Sequence, residues 1–155
     1  MDLRFTISGR IAKPVSEVFD AVADPDKLSR YFTTGGARGR LETGATVTWD
    51  FHDFPGAFPV EVVEVQRDRR IVLRWDADES AAEPDASGAR RTTVTMTFEP
   101  LGADRTLVSI AEHGWSSTPE GLKASYGNCE GWTGMLCAMK GWLEHGINLR
   151  EGFYK

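Results

Sequence analysis

The chain has 155 residues, 41% of them hydrophobic, and a formal net charge of −5, which sets the expectation of one domain with a real core. Acidic and basic residues are mixed along it, so it offers neither the basic face of a nucleic-acid binder nor a polybasic membrane contact. No apolar run reaches the roughly 18 residues of a membrane span, and "MDLRFTISGRIA" has no signal-peptide apolar core, so a cytoplasmic location without membrane insertion is expected.

In "LRFTISGRIA" Leu3, Phe5 and Ile7 recur at period two and predict the first strand. "KPVSEVFDAVAD" follows, with Pro14 suited to a first helical turn and Val15, Val18, Phe19 and Val22 at helical spacing. Asp24, Pro25 and Asp26 supply an N-cap, a proline at the first helical position and a favourable charge, so a second short helix is expected to about Tyr31 and Phe32. "TTGGARGRLETG" reads as a glycine-rich loop or hairpin connection.

Five strands are expected next. "TVTWDF" alternates Val47, Trp49 and Phe51 on one face. "PVEVVEVQ" and "RIVLRW" form a pair turning at Arg67, Asp68 and Arg69, with Ile71, Leu73 and Trp75 sharing a face. "RTTVTMTFE" sets Val94, Met96 and Phe98 opposite its threonines, and "RTLVSIAEHGW" is the last strand. Residues 76–91, "DADESAAEPDASGARR", read as a mobile polar loop. Thr118, Pro119 and Glu120 start a helix running to about Gly146, with Gly127 and Asn128 the place where it could break. The order β-α-α, five strands, one long helix indicates an α+β fold with the helix covering one sheet face.

That helix carries "NCEGWTGMLCAMKGWLEHG". On a wheel Cys129, Trp132, Met135, Leu136, Met139, Trp142 and Leu143 form one stripe, with Glu130, Thr133, Cys137, Lys140, Glu144 and His145 opposite. Glycines 131, 134 and 141 fall on the back or flank, each at about 1 kcal/mol of helix propensity; a bend or the close approach of a loop would explain them. Cys129 and Cys137 on one helix lie about 12 Å apart, too far for a disulfide. No cysteine or histidine spacing fits a metal site, and no metal or organic cofactor is expected. The bulky side chains of helix and sheet suit either a plug or the wall of an adaptable cavity; the expectation is a partly open cavity.

Four stretches resemble a known family: "IAKPVSEVFDAVADPDKLSRYF", "RRIVLRW", "RTLVSIAEHGW" and "GWTGMLCAMKGWLEHG". In order and spacing the chain is similar to the SRPBCC superfamily (START-like, helix-grip), and within it most like the proteins named for the activator of a heat-shock chaperone ATPase. Tyr31 and Phe32, where relatives often have Trp-Phe, and the long 76–91 loop depart from the pattern. The resemblance implies a curved antiparallel sheet of about seven strands gripping the C-terminal helix, the seventh in residues 38–42. It also implies a hydrophobic cavity, used by relatives for lipids, hormones, polyketides or other aromatic molecules. Neither the ligand nor a co-chaperone activity transfers with the fold.

Strand alternation turns Glu112 the same way as Val108 and Ile110, where its carboxylate could orient a ligand or act as a base. The competing reading, preferred here, has the strand fray before Gly114 and Glu112 reach water. Glu61, alternating with Val63 and Val65, is also expected to be exposed, and His113 to lie on the outer face. His52 and His145 show no partner, and Cys137 reads as a spectator thiol. "FPGAFP" reads as a turn whose Phe54 and Phe58 cover the cavity end, or as an apolar patch for dimerisation.

The expected function is a binding module for a small hydrophobic or aromatic molecule held between sheet and helix. Its expected ligand-binding residues are Phe32, Trp49, Phe51, Trp75, Met96, Glu112, Trp132, Met135, Leu136 and Met139, with Phe32, Phe54 and residues 33–37 gating entry. No catalytic residue is assigned. The alternatives are a cyclase-, dehydratase- or hydrolase-type enzyme using Glu112, and a protein-interaction role as a homodimer or chaperone-interacting co-regulator.

Overall fold

The computed structural model describes residues 2–155. The elements run β1 Leu3–Ile11, α1 Val15–Ala23, α2 Pro25–Leu28, β2 Gly36–Arg38, β3 Thr46–Phe51, β4 Phe54–Gln66, β5 Arg70–Asp76, β6 Arg91–Pro100, β7 Thr106–Trp115 and α3 Pro119–His145. All strands join one antiparallel sheet in the order β1-β7-β6-β5-β4-β3-β2, so the first strand lies beside the last. This is the helix-grip arrangement.

Period-two alternation puts one side chain in two against the helix. Val47, Trp49, Val60, Val62, Ile71, Leu73, Val94, Met96, Phe98, Val108 and Ile110 are all buried there. Trp132, Met135, Leu136 and Met139 of α3 close over them. A Cβ at Gly9 would sit 2.9 Å from Leu136 Cδ2, so α3 rests almost on the β1 backbone. Thr118 caps α3 by accepting from the Gly121 amide at 3.1 Å, and Gly146 ends it in the left-handed conformation at φ 69°.

The sequence expectations are corrected at six places. Pro14 is the N-cap of α1 and not part of its first turn. The second helix is one turn long and stops before Tyr31 and Phe32, because both rings are drawn inward. Tyr31 stacks on Trp142 at 5.6 Å and donates to the Ala21 carbonyl at 3.0 Å. The seventh strand is 36–38, paired with β3, while Leu41 of the expected 38–42 segment is buried in the core. "FPGAFP" opens β4, since Phe51 pairs with Phe54 across a turn at His52 and Asp53. The 76–91 stretch is held down: bridges join Ala82 to Trp115 and Pro84 to Arg90, and Ala81 and Ala82 are buried. Finally, α3 passes through Gly127 and Asn128 unbroken, because packing on the sheet outweighs their weak helix propensity. No helix among the described residues is long and apolar enough to cross a membrane.

Candidate functional site

Glu112 is the largest departure from expectation. Its residue pairs with Phe5 of β1 on one side and Val94 of β6 on the other, so β7 has no free edge there along which to fray. The preference for an exposed Glu112 is overturned: the residue is 0% exposed. Alternation turns it under α3, where neutral donors surround it. Trp132 Nε1 donates to Oε1 at 2.8 Å. Thr92 Oγ1 and Trp75 Nε1 donate to Oε2 at 2.6 and 3.0 Å. Asn128 Nδ2 lies 3.1 and 3.0 Å from the two oxygens. Trp75 Nε1 also points to Thr92 Oγ1 at 2.9 Å.

No cation is among these partners. Burial therefore pushes the Glu112 carboxyl above the usual glutamate range, while donation from Thr92, Trp75, Trp132 and Asn128 pulls the other way and only partly offsets it. Indole N–H groups only donate, so both tryptophans fit a carboxyl oxygen in either protonation state. The carboxyl thereby fixes two large rings edge-on: Trp75 and Trp132 stack at 5.3 Å with an interplanar angle of 26°.

Above that stack opens a cleft of about 420 Å³. Phe32, Phe51, Phe54, Phe58, Trp75 and Trp132 give it an aromatic wall, and Asn128, Glu130, Arg150 and Tyr154 its polar atoms. The rings are in continuous contact: Phe32 meets Phe51 at 5.0 Å and Trp132 at 5.7 Å, and Phe58 meets Phe51 at 6.0 Å and Trp75 at 5.9 Å. Gly127 and Gly131, one helical turn apart, also line it, and a Cβ at either would meet nothing within 4 Å. Bare glycines on the helix thus keep the cleft open. A second cleft of about 310 Å³, reaching Asp76, Asp78, Thr92 and Trp115, shares Phe58, Trp75 and Asn128 with the first.

Of the residues expected to bind a ligand, Phe32, Phe51, Trp75 and Trp132 are brought together in this cleft, with Phe54 at its rim. Glu112 lies behind the wall and reaches the cleft only through its donors. Trp49, Met96, Met135, Leu136 and Met139 do not line it; they fill the space between sheet and helix as a plug. Residues 33–37 do not line it either. Cys129, placed in the sheet-facing stripe by the wheel, lies half-buried on the outer flank with Cys137, and both thiols are free. His113 is exposed, and Glu61 meets Arg91 at 2.7 Å near the surface. Among the described residues no cluster of His, Cys, Asp or Glu could hold a metal ion.

Sequence reasoning passed over Thr92 and Asn128. Thr92 continues the inward run of Val94 and Met96, and Asn128 precedes Trp132 by one turn, so both were open to detection once Glu112 was placed inside. Arg150 and Tyr154 carry no local signal.

The family model described as Activator of Hsp90 ATPase homolog 1-like protein matches residues 12–144. No curated protein matches the sequence. Among solved structures the chain is similar to protein SSP2350 from Staphylococcus saprophyticus (TM-score 0.76, 24% identity, 96% of each chain covered). It is also similar to the Aha1 dimer from Colwellia psychrerythraea (TM-score 0.72, 16% identity, 94% of this chain and 99% of that one). A third likeness is to DynU16, a protein of the dynemicin biosynthetic locus (TM-score 0.70, 24% identity, 92% of this chain). This chain spans only 48% of DynU16. At these identities the likenesses show the fold.

Proposed function

The chain belongs to the Activator of Hsp90 ATPase homolog 1-like family, and on that premise we propose that it binds a flat aromatic or apolar small molecule in the cleft over the Trp75–Trp132 stack. The observation that carries this reading is the open aromatic cleft itself, floored by two stacked indoles whose N–H groups are held by Glu112. Apolar burial supplies about 25 cal/mol per Å² before ordering costs, and stacking adds about 0.5–1.5 kcal/mol per ring pair. Because Glu112 already holds the two indoles in place, the rings are preorganised and little order has to be imposed on binding. Asn128 donates its Nδ2 to Glu112, which leaves its side-chain carbonyl oxygen in the wall to accept from a ligand hydroxyl. The place of DynU16 in a biosynthetic locus is in keeping with a small-molecule occupant.

Burial and hydrogen bonding of Glu112 are also what an enzymatic reading asks of it. Every donor around it is already engaged with it, however, and no part of it is exposed to the cleft, so a positioning role is preferred. A second reading concerns assembly. The Colwellia relative is a dimer, and the exposed Phe54, Tyr126 and Phe153 would suit a contact with a second copy; sedimentation velocity decides it, a single monomeric species counting against the dimer.

Native mass spectrometry of freshly purified protein, with denaturing extraction of whatever co-purifies, tests the binding reading. The expected result is a bound apolar molecule that displaces Nile red from the cleft. A clean apo mass together with no rise in Nile red emission would overturn it.

A further inference from the structure

Past Gly146 the chain reverses and residues 147–155 lie back along the outer side of α3. The glycines that weaken the helix are where it lands. A Cβ at Gly141 would stand 2.8 Å from Leu149 Cδ1, and one at Gly134 would stand 2.6 Å from the Tyr154 hydroxyl. The most buried fastening of this tail is one side chain. Arg150, 7% exposed, donates from Nη1 and Nη2 to the two carboxylate oxygens of Asp53 at 2.5 and 2.9 Å. Its guanidinium also lies over the rings of Phe51 and Tyr154, at 5.3 and 4.8 Å. Asp53 sits in the turn between β3 and β4, so the pair ties the C-terminal tail to the hairpin that carries Phe51 and Phe54.

The other contacts are at the surface: His52 meets Glu151 at 3.6 Å, and Phe54 meets the Lys155 ammonium at 4.6 Å and the Tyr154 ring at 6.2 Å. Ile147 and Leu149 are about half exposed and Phe153 mostly so. The Tyr154 hydroxyl is buried without a hydrogen-bond partner, a cost that opening would relieve. Beneath the tail is a groove of about 560 Å³, with Cys129, Gly134 and Cys137 on the helix side and Leu149 and Phe153 on the tail side. Glu130, Arg150 and Tyr154 line both this groove and the aromatic cleft. The tail is therefore the partition between two apolar spaces.

We propose that residues 147–155 form a gate between the two apolar spaces: release of the Arg150–Asp53 pair joins the groove under them to the open aromatic cleft, so that a flat apolar molecule enters by way of the groove as well as from solvent. This rests on the reading of the cleft as a binding site. The two free thiols make it testable, since both line the groove but Cys129 is half-buried and Cys137 exposed.

In Asp53→Ala, Cys129 should react with Ellman's reagent at least about tenfold faster, because removing one partner of a buried ion pair raises the population of the open tail. Cys137 lines the same groove but is already exposed, so its rate should rise much less than that of Cys129. Stopped-flow mixing with Nile red should show faster association and faster dissociation. Asp53→Asn keeps the shape of the turn and should reproduce the effect in smaller measure, with far-UV circular dichroism confirming the fold. Unchanged Cys129 reactivity and unchanged Nile red kinetics would overturn the gate while leaving the binding reading intact. Faster Cys129 labelling in a protein that never takes up Nile red would overturn the cleft as a binding site, and the gate with it.

Discussion

Replacing Glu112 tests whether the buried carboxyl organises the floor of the cleft. In Glu112→Leu the volume is roughly kept and the acceptor is lost. Trp75 Nε1 retains Thr92 Oγ1 at 2.9 Å, while the Thr92 hydroxyl loses the oxygen to which it donates. Trp132 Nε1 and Asn128 Nδ2 lose the acceptor that holds them. A buried donor left unpaired costs about 1–3 kcal/mol. Trp132 takes that in full, being buried, while Asn128 faces the open cleft and recovers part from water. The expected loss is about 2–4 kcal/mol. In Glu112→Gln the amide oxygen can keep Trp132 and its NH₂ can donate to the Thr92 oxygen, but that nitrogen cannot accept from Trp75 Nε1 or Asn128 Nδ2 as Oε2 does, so the loss is smaller than in Glu112→Leu, about 1–2 kcal/mol near the acid end of the range.

The two variants also separate by pH. The folded-state pKa of Glu112 is raised above the ordinary value of 4.5. The folded protein then holds a proton that the unfolded chain has released. That contribution to stability is complete below the ordinary value and is lost as pH rises through the raised one. Gln carries no such slope, so wild type should lose ground to Glu112→Gln as pH rises above 4.5. Urea unfolding followed by far-UV circular dichroism, from about pH 4 to about pH 8, measures both differences. A Glu112→Leu protein within about 0.5 kcal/mol of wild type would refute the donor argument. A pH-independent gap between wild type and Glu112→Gln would show that the four donors fully balance burial.

Two further substitutions probe close packing. A Cβ at Gly121 would fall 1.9 Å from the Ser116 carbonyl oxygen, which is backbone and cannot swing away, so Gly121→Ala should lose about 2 kcal/mol or more in urea unfolding; a neutral result would mean that the 116–121 turn yields at little cost. Tyr31→Phe removes the hydroxyl that donates to Ala21 at 3.0 Å inside the core and should cost about 1 kcal/mol, read as a fall of a few degrees in Tm.

The strands were legible because their signal is local. Val47, Trp49 and Phe51, or Val94, Met96 and Phe98, alternate within a few residues, and alternation alone assigns the buried face. Thr118, Pro119 and Gly146 marked the ends of α3 for the same reason. The errors came where distant contacts outweigh local preference. Tyr31 leaves the helix because Trp142 and Ala21 hold it, and the 77–90 segment is pinned by Trp115 and by the Ser116 amide, which donates to the Ala81 carbonyl.

The same division runs through the site. Phe32, Phe51, Trp75 and Trp132 could be named as large apolar residues on the right faces, yet nothing in their spacing separates them from Trp49, Met96 and Met139, which plug the interior. Which rings end in open space depends on how far α3 and the sheet diverge, and on Gly127 and Gly131 leaving the helix bare there. Glu112 had a face assigned by alternation but no partners, since Thr92, Asn128 and the two indoles come from three other elements. The long strands, the C-terminal helix, their order and most buried faces were readable from the chain alone, because hydrophobic period is a property of neighbouring residues. Where the cleft opens, what the carboxyl holds and how Arg150 fastens the tail to Asp53 came from the folded chain, because each of these is a distance between residues far apart in sequence.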